Sequence, residues 1–78
     1  MFYVYCIQNL LKRKFYYGFT SDLVRRMKEH KYEDKNCELI YYEAYRSEID
    51  ARHREQKLKD YGQSRTRLKK RIINSIIK

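Results

Sequence analysis

The chain has no proline and no tryptophan, and only two glycines and two cysteines in 78 residues. Without proline, a Gly/Ser linker, an internal repeat or a low-complexity stretch, nothing marks a boundary, and residues 1–78 read as one continuous domain. A core of this size buries only about 60% of the surface its unfolded chain exposes, so the stability margin is narrow. No run reaches the roughly 18 apolar residues of a membrane span. Met1-Phe2-Tyr3-Val4-Tyr5 also lacks the basic, apolar and small-residue order of a signal peptide, which points to the cytoplasm. Cys6 and Cys37 are too few for a disulfide framework and suit reduced thiols. With His30 and His53 they scatter in the order Cys, His, Cys, His, without the short paired spacing of a structural zinc site.

Acidic residues are scarce as well. Ten Asp and Glu stand against 19 Lys and Arg, a net charge of +9. Charge of one sign at this density repels itself, and a polyanionic partner relieves the repulsion. Nucleic acid is the first candidate. A membrane surface calls for a basic amphipathic helix presenting Trp, Phe or Leu, and with no tryptophan in the chain no membrane partner is expected.

The residues that are present order themselves clearly. Phe2 to Gln8 and Lys14 to Phe19 are β-branched and aromatic enough to be strands, with Asn9 to Arg13 as a polar hairpin loop between them. Thr20-Ser21-Asp22 offers caps before a helix from Asp22 to Lys31, in which Leu23, Met27 and His30 recur at helical spacing. Leu39-Ile40-Tyr41-Tyr42 marks a third strand within Glu38 to Ala44. Ser47-Glu48-Ile49-Asp50 has the form of a capping box, and the helix behind it, Glu48 to Tyr61, is expected to stop at Gly62 in a left-handed conformation. Ser64 is expected to cap a last helix, Arg65 to Ile77. Its Leu68, Ile72, Ile73, Ile76 and Ile77 would supply most of the helical core. The expectation is an α/β (α+β) fold, a three-stranded antiparallel sheet flanked by three helices in the order β-β-α-β-α-α.

Some residues lie where packing alone does not want them. At about 100° per residue, Ala51, Glu55, Leu58 and Gly62 share one helix face, which puts the Glu55 carboxylate in an apolar stripe. Such a group needs a partner, either an arginine in a salt bridge or a divalent metal ion. Arg26 and His30 fall beside Leu23 and Met27, so two phosphate-binding groups face the sheet unless Arg25, Arg26 and Lys28 simply form a solvated face. Among nine tyrosines, Tyr3 and Tyr5 share one sheet face, Tyr16 shares a face with Gly18, and Tyr17 points the other way. Most tyrosines serve packing, while the missing side chain at Gly18 leaves space beside Tyr16 of the kind a ligand backbone uses.

Tyr3-Val4-Tyr5, then Tyr16-Tyr17-Gly18, then Phe19 through His30 with Arg26, then Ala51 through Lys59 with Glu55, form an ordered set over nearly the whole chain. This set resembles the GIY-YIG endonuclease superfamily, in its small stand-alone bacterial type related to the nuclease domain of the excision-repair protein UvrC. The resemblance implies metal-dependent hydrolysis of phosphodiester bonds in DNA, with RNA as the alternative, single-stranded or branched ends being suitable targets. It implies Tyr5 as general base supported by Tyr16 and His30, Arg26 as phosphate ligand, and Glu55 as the ligand of a single Mg²⁺ or Mn²⁺. Lys12, Arg13, Lys14, Arg25 and Lys28, with parts of the run Arg65 to Arg71, would bind the nucleic-acid backbone. The chain departs from the pattern where Tyr3-Val4 replaces Gly-Ile, where Phe19 replaces a lysine, and where Arg67 replaces a late asparagine. Those last two departures favour a second reading, a non-catalytic basic nucleic-acid-binding module of the same fold.

Overall fold

The computed structural model describes residues 1–78. Strand β1, Phe2–Asn9, and strand β2, Lys14–Thr20, form a hairpin. Its turn is tightened by Asn9, whose Oδ1 accepts from the backbone N–H groups of Leu11 at 3.0 Å and Lys12 at 2.8 Å. Arg13 takes up the left-handed conformation needed to close the loop, at φ 56°. Helix α1, Leu23–Glu33, begins where Asp22 accepts from the Arg25 N–H at 3.1 Å, satisfying one of the free donors of a helix start. Strand β3, Cys37–Tyr45, returns beside β1. Helix α2, Glu48–Asp60, starts at Ser47, whose side chain accepts from the Asp50 N–H. Helix α3, Gly62–Arg71, is followed by a 3₁₀ turn, Ile73–Ser75. The α+β order β-β-α-β-α-α is therefore present.

Both strand pairings are antiparallel and β1 is central, in the order β2-β1-β3. A bulge shifts the β1–β3 register between Cys6 and Ile7, so Tyr42 stands opposite Tyr5 and Leu39 opposite Ile7. Alternation sends the two faces of β1 into separate clusters. Val4 packs with Ala51 and Leu58 of α2 and Leu68 of α3, surrounded by Phe2, Tyr17, Phe19, Tyr41, Tyr45 and Ile72. Tyr5 and Ile7 pack with Cys37 on the opposite face, under Leu23 and Met27 of α1. Cys6 and Cys37 are both buried free thiols. No helix is long and apolar enough to cross a membrane.

The C-terminal third departs from expectation. Gly62 has no positive φ and is the first residue of α3; α2 ends instead at an extended Tyr61. The break needs no left-handed residue because the Arg65 guanidinium donates to the Leu58 and Lys59 carbonyls, at 2.8 and 2.7 Å, and satisfies acceptors left free at the helix end. Helix α3 starts at Gly62 with no side-chain cap, so Ser64 lies inside it. It also ends earlier than Ile77. Buried Gln8 explains that end, since its amide donates to the Ile77 carbonyl at 2.6 Å and accepts from the Ile77 N–H at 2.9 Å. This reciprocal pair holds the tail extended along β1. Consequently Ile73 and Ile77 are exposed, and the buried helical core is Ala51, Leu58 and Leu68 rather than an isoleucine side of the last helix.

Candidate active site

Tyr5 lies in the middle of β1 and is 4% exposed. Its cross-strand neighbour on β2 is Gly18. A Cβ built at Gly18 would stand 2.3 Å from both Cζ and the hydroxyl oxygen of Tyr5. The space expected beside Tyr16 for a ligand is thus filled by the protein's own Tyr5 ring, leaning over β2. That lean delivers the hydroxyl to α1, where it contacts His30 Nε2 at 2.8 Å with the rings edge to face. Arg26, one helical turn before His30, is close enough for its charge to favour the Tyr5 phenolate. The one directed hydrogen bond of the hydroxyl, however, is to His30.

The electrostatics of these three residues follow from the same packing. Burial raises the Tyr5 pKa above the usual phenol value. The Arg26 charge works against that shift, Glu55 reinforces it and Lys59 opposes it, and burial prevails. Burial lowers the His30 pKa, and the Arg26 charge lowers it further against the pull of Glu33 and Glu29. At neutral pH the pair is therefore a protonated phenol facing a neutral imidazole. Arg26 remains cationic, because its bond to Glu29 at 3.1 Å and the nearby Tyr5 outweigh the burial that acts against its charge.

Glu55 and Lys59 of α2 lie close enough to the site for their charges to act on Tyr5. Glu55 is mostly buried, with 19% of its side chain exposed, and its partner is Lys59 Nζ at 3.1 Å rather than an arginine. Tyr16, half exposed, lines an open concavity of about 470 Å³ with Lys59, Leu58, Arg65, Phe15 and Tyr17. The structure thus gathers Tyr5, Arg26, His30 and Glu55, and sets Tyr16 at their margin. Lys59 escaped the sequence reading; its position four residues after Glu55 was the available signal. No three His, Cys, Asp or Glu side chains gather to cage a metal. A lone, largely buried carboxylate suits a divalent ion that keeps waters and takes phosphate oxygens as its other ligands.

The expected backbone-binding residues divide. Lys12, Arg13 and Lys14 are exposed on the hairpin and Lys28 on α1, while exposed Arg25 is paired with Glu29 at 3.0 Å. In the basic run, Arg65 is spent on the end of α2 and Lys69 lies over the Phe15 ring at 4.4 Å. Phe19 packs on the α2 side of the sheet with Arg52 over its ring at 4.1 Å.

The fold sets an aromatic strand pair against the basic helix α1 on one face and against α2, which carries Glu55, on the other. The GIY-YIG catalytic domain model matches residues 1–71, and the chain belongs to that family. Comparison with curated proteins and with solved structures gave no significant match.

Proposed function

We propose that the domain is an endonuclease that hydrolyses DNA phosphodiester bonds, with Tyr5 as general base, Arg26 as phosphate ligand and Glu55 as metal ligand. The observation that carries this reading is the Tyr5 hydroxyl held 2.8 Å from His30 Nε2 beside Arg26. A phenol with a raised pKa cannot accept a proton unless it gives up its own. Neutral His30, with its ring proton on Nδ1, takes that proton at Nε2 while Tyr5 oxygen takes one from the attacking water. The new bond forms from water oxygen to phosphorus, and the bond from phosphorus to the 3′ oxygen breaks. Arg26 binds non-bridging oxygens, where charge builds in the transition state. Glu55 would hold an Mg²⁺ or Mn²⁺ ion, which would supply charge stabilisation for the departing oxygen. Glu29 holds the Arg26 guanidinium in place through its 3.1 Å bond.

Net charge +9 and the exposed Lys12, Arg13, Lys14 and Lys28 support binding to a polyanionic backbone. Half-exposed tyrosines near the site, Tyr16 and Tyr42, favour strands whose bases are free to stack, as in single-stranded or branched DNA. The test incubates the protein with labelled single-stranded, duplex and branched DNA and RNA in Mg²⁺, Mn²⁺ or EDTA. Cleavage by the parent in metal, lost in EDTA and in Glu55→Ala and Arg26→Ala, is expected. Equal cutting by those variants overturns the assigned roles. Binding without any nicks would establish instead the non-catalytic module, which the packed Phe19 favours by leaving no lysine at that position.

A further inference from the structure

We infer that Lys59 is a mobile cation of the active site, resting on Glu55 in the free protein and moving to the scissile phosphate when a divalent ion takes its place. The inference rests on the reading of Glu55 as metal ligand. Three observations carry it. Lys59 Nζ is 3.1 Å from Glu55 Oε2, and it is the only cation paired with that carboxylate. The Lys59 side chain is 53% exposed against 19% for Glu55, so the lysine is the partner free to leave. Lys59 lines the same concavity as Tyr16, and its charge is felt at Tyr5, so the ammonium that pairs with Glu55 also lies within the field of the general base.

The physical reasoning is a competition for one carboxylate. A lysine–glutamate pair one turn apart on a helix, with its lysine half exposed to water, is weak, so a divalent ion displaces the ammonium readily. The displaced ammonium has four methylene groups of reach and no other acidic partner. A phosphate seated beside Arg26 is the anion nearest to its new position. Lys59 would then add a second positive group at the reacting phosphate, at a locus where β2 presents Phe19 to the opposite side of the sheet. It acts at the resting site as a competitor and at the loaded site as a phosphate ligand.

These two duties predict effects of opposite sign, which a merely structural ion pair does not produce. In substrate-free protein, Mn²⁺ titration followed by electron paramagnetic resonance should show Lys59→Gln binding the ion about threefold to tenfold tighter than the parent, because one competing positive charge is gone. Glu55→Gln should abolish that site. In cleavage assays at saturating metal, Lys59→Gln should be slower by about tenfold or more, with Lys59→Arg recovering much of the loss. Circular dichroism and thermal melting of Lys59→Gln should match the parent, since the side chain is half exposed. Unchanged or weakened Mn²⁺ binding by Lys59→Gln overturns the inference, as does undiminished cleavage. If Mn²⁺ binds the parent at Glu55 and Lys59→Gln binds no tighter, only the role of Lys59 falls. If the parent shows no Glu55-dependent Mn²⁺ site at all, the reading of Glu55 falls with it.

Discussion

Gly18→Ala is the smallest change that reports on the site. The added methyl carbon would lie 2.3 Å from Cζ and the hydroxyl oxygen of Tyr5 and 2.9 Å from Cε1. The paired β2 backbone cannot give that much, so the Tyr5 ring, packed under Leu23 and Met27, must be forced away from His30. Overpacking of this kind costs about 1–3 kcal/mol, and losing the Tyr5–His30 hydrogen bond adds about 1 kcal/mol. The lowered entropy of the unfolded chain returns about 0.4–1 kcal/mol, since Gly18 has no positive φ and alanine fits the backbone. The net loss is about 1–3.5 kcal/mol. In a domain of this size that lowers Tm by about 4–8 °C for each kcal/mol. The decisive assay is a double-mutant cycle by urea denaturation with Tyr5→Ala as the second change. With the ring gone, alanine at position 18 should cost almost nothing or stabilise slightly. An equal cost in both backgrounds would falsify the claim that Gly18 exists to admit the Tyr5 ring.

Five further outcomes are expected. His30 has a lowered folded pKa, so the unfolded chain binds the extra proton first as pH falls; stability should be full above about pH 6.5 and decline below it, with a shallower decline in His30→Gln, measured by melting from pH 8 to 5. Cleavage should fall over the same acidic range, because protonated His30 cannot accept the Tyr5 proton, and a rate that rises toward acid pH would exclude that relay. Leu58→Ala, which empties the centre of the α2 face, should lose about 2–5 kcal/mol in urea titrations. Tyr17→Phe removes the one buried hydroxyl without a hydrogen-bond partner and should leave stability unchanged or higher by about 1 kcal/mol, whereas a loss of that size would reveal a bond to the neighbouring Cys6 thiol. If about six phosphates are contacted, DNA affinity should fall with salt at a log-log slope of roughly −4 to −5, and a flat response in binding titrations would remove the electrostatic footprint.

Local patterns made most of this molecule legible. Period-two alternation placed Tyr16 and Gly18 on one face of their strand and Tyr17 on the other, and the cap at Asp22 located α1 with Arg26 and His30 facing the sheet. Helical spacing also put Glu55 on the inward side of α2 beside Ala51 and Leu58. What escaped depends on distant partners. The helical run of isoleucines after Leu68 is overridden by Gln8, which stands 69 residues earlier and captures the Ile77 backbone. Gly62 looked like a stop because glycine so often is one, yet the Arg65 guanidinium supplies the closing hydrogen bonds. The purpose of Gly18 was invisible for the same reason, since the group that fills its space comes from a neighbouring strand and registers only once β1 and β2 are paired.

Helix α1 has no fully buried residue, and it docks on the sheet through partly buried Leu23 and Met27 and a Lys31 ammonium that reaches the Cys37 carbonyl at 3.0 Å. The opposite face is held by Ala51, Leu58 and Leu68, all at or below 1% exposure. Arg26 and His30 therefore ride on the less firmly anchored layer, and local opening of that layer needs less free energy than unfolding the sheet. Warming should stop the proposed cleavage while the strands are still paired, and amides of α1 should exchange with solvent ahead of those in β1. Selecting for a higher global melting point would strengthen the wrong half of the molecule; heat tolerance of function has to be built at the seam between α1 and β1.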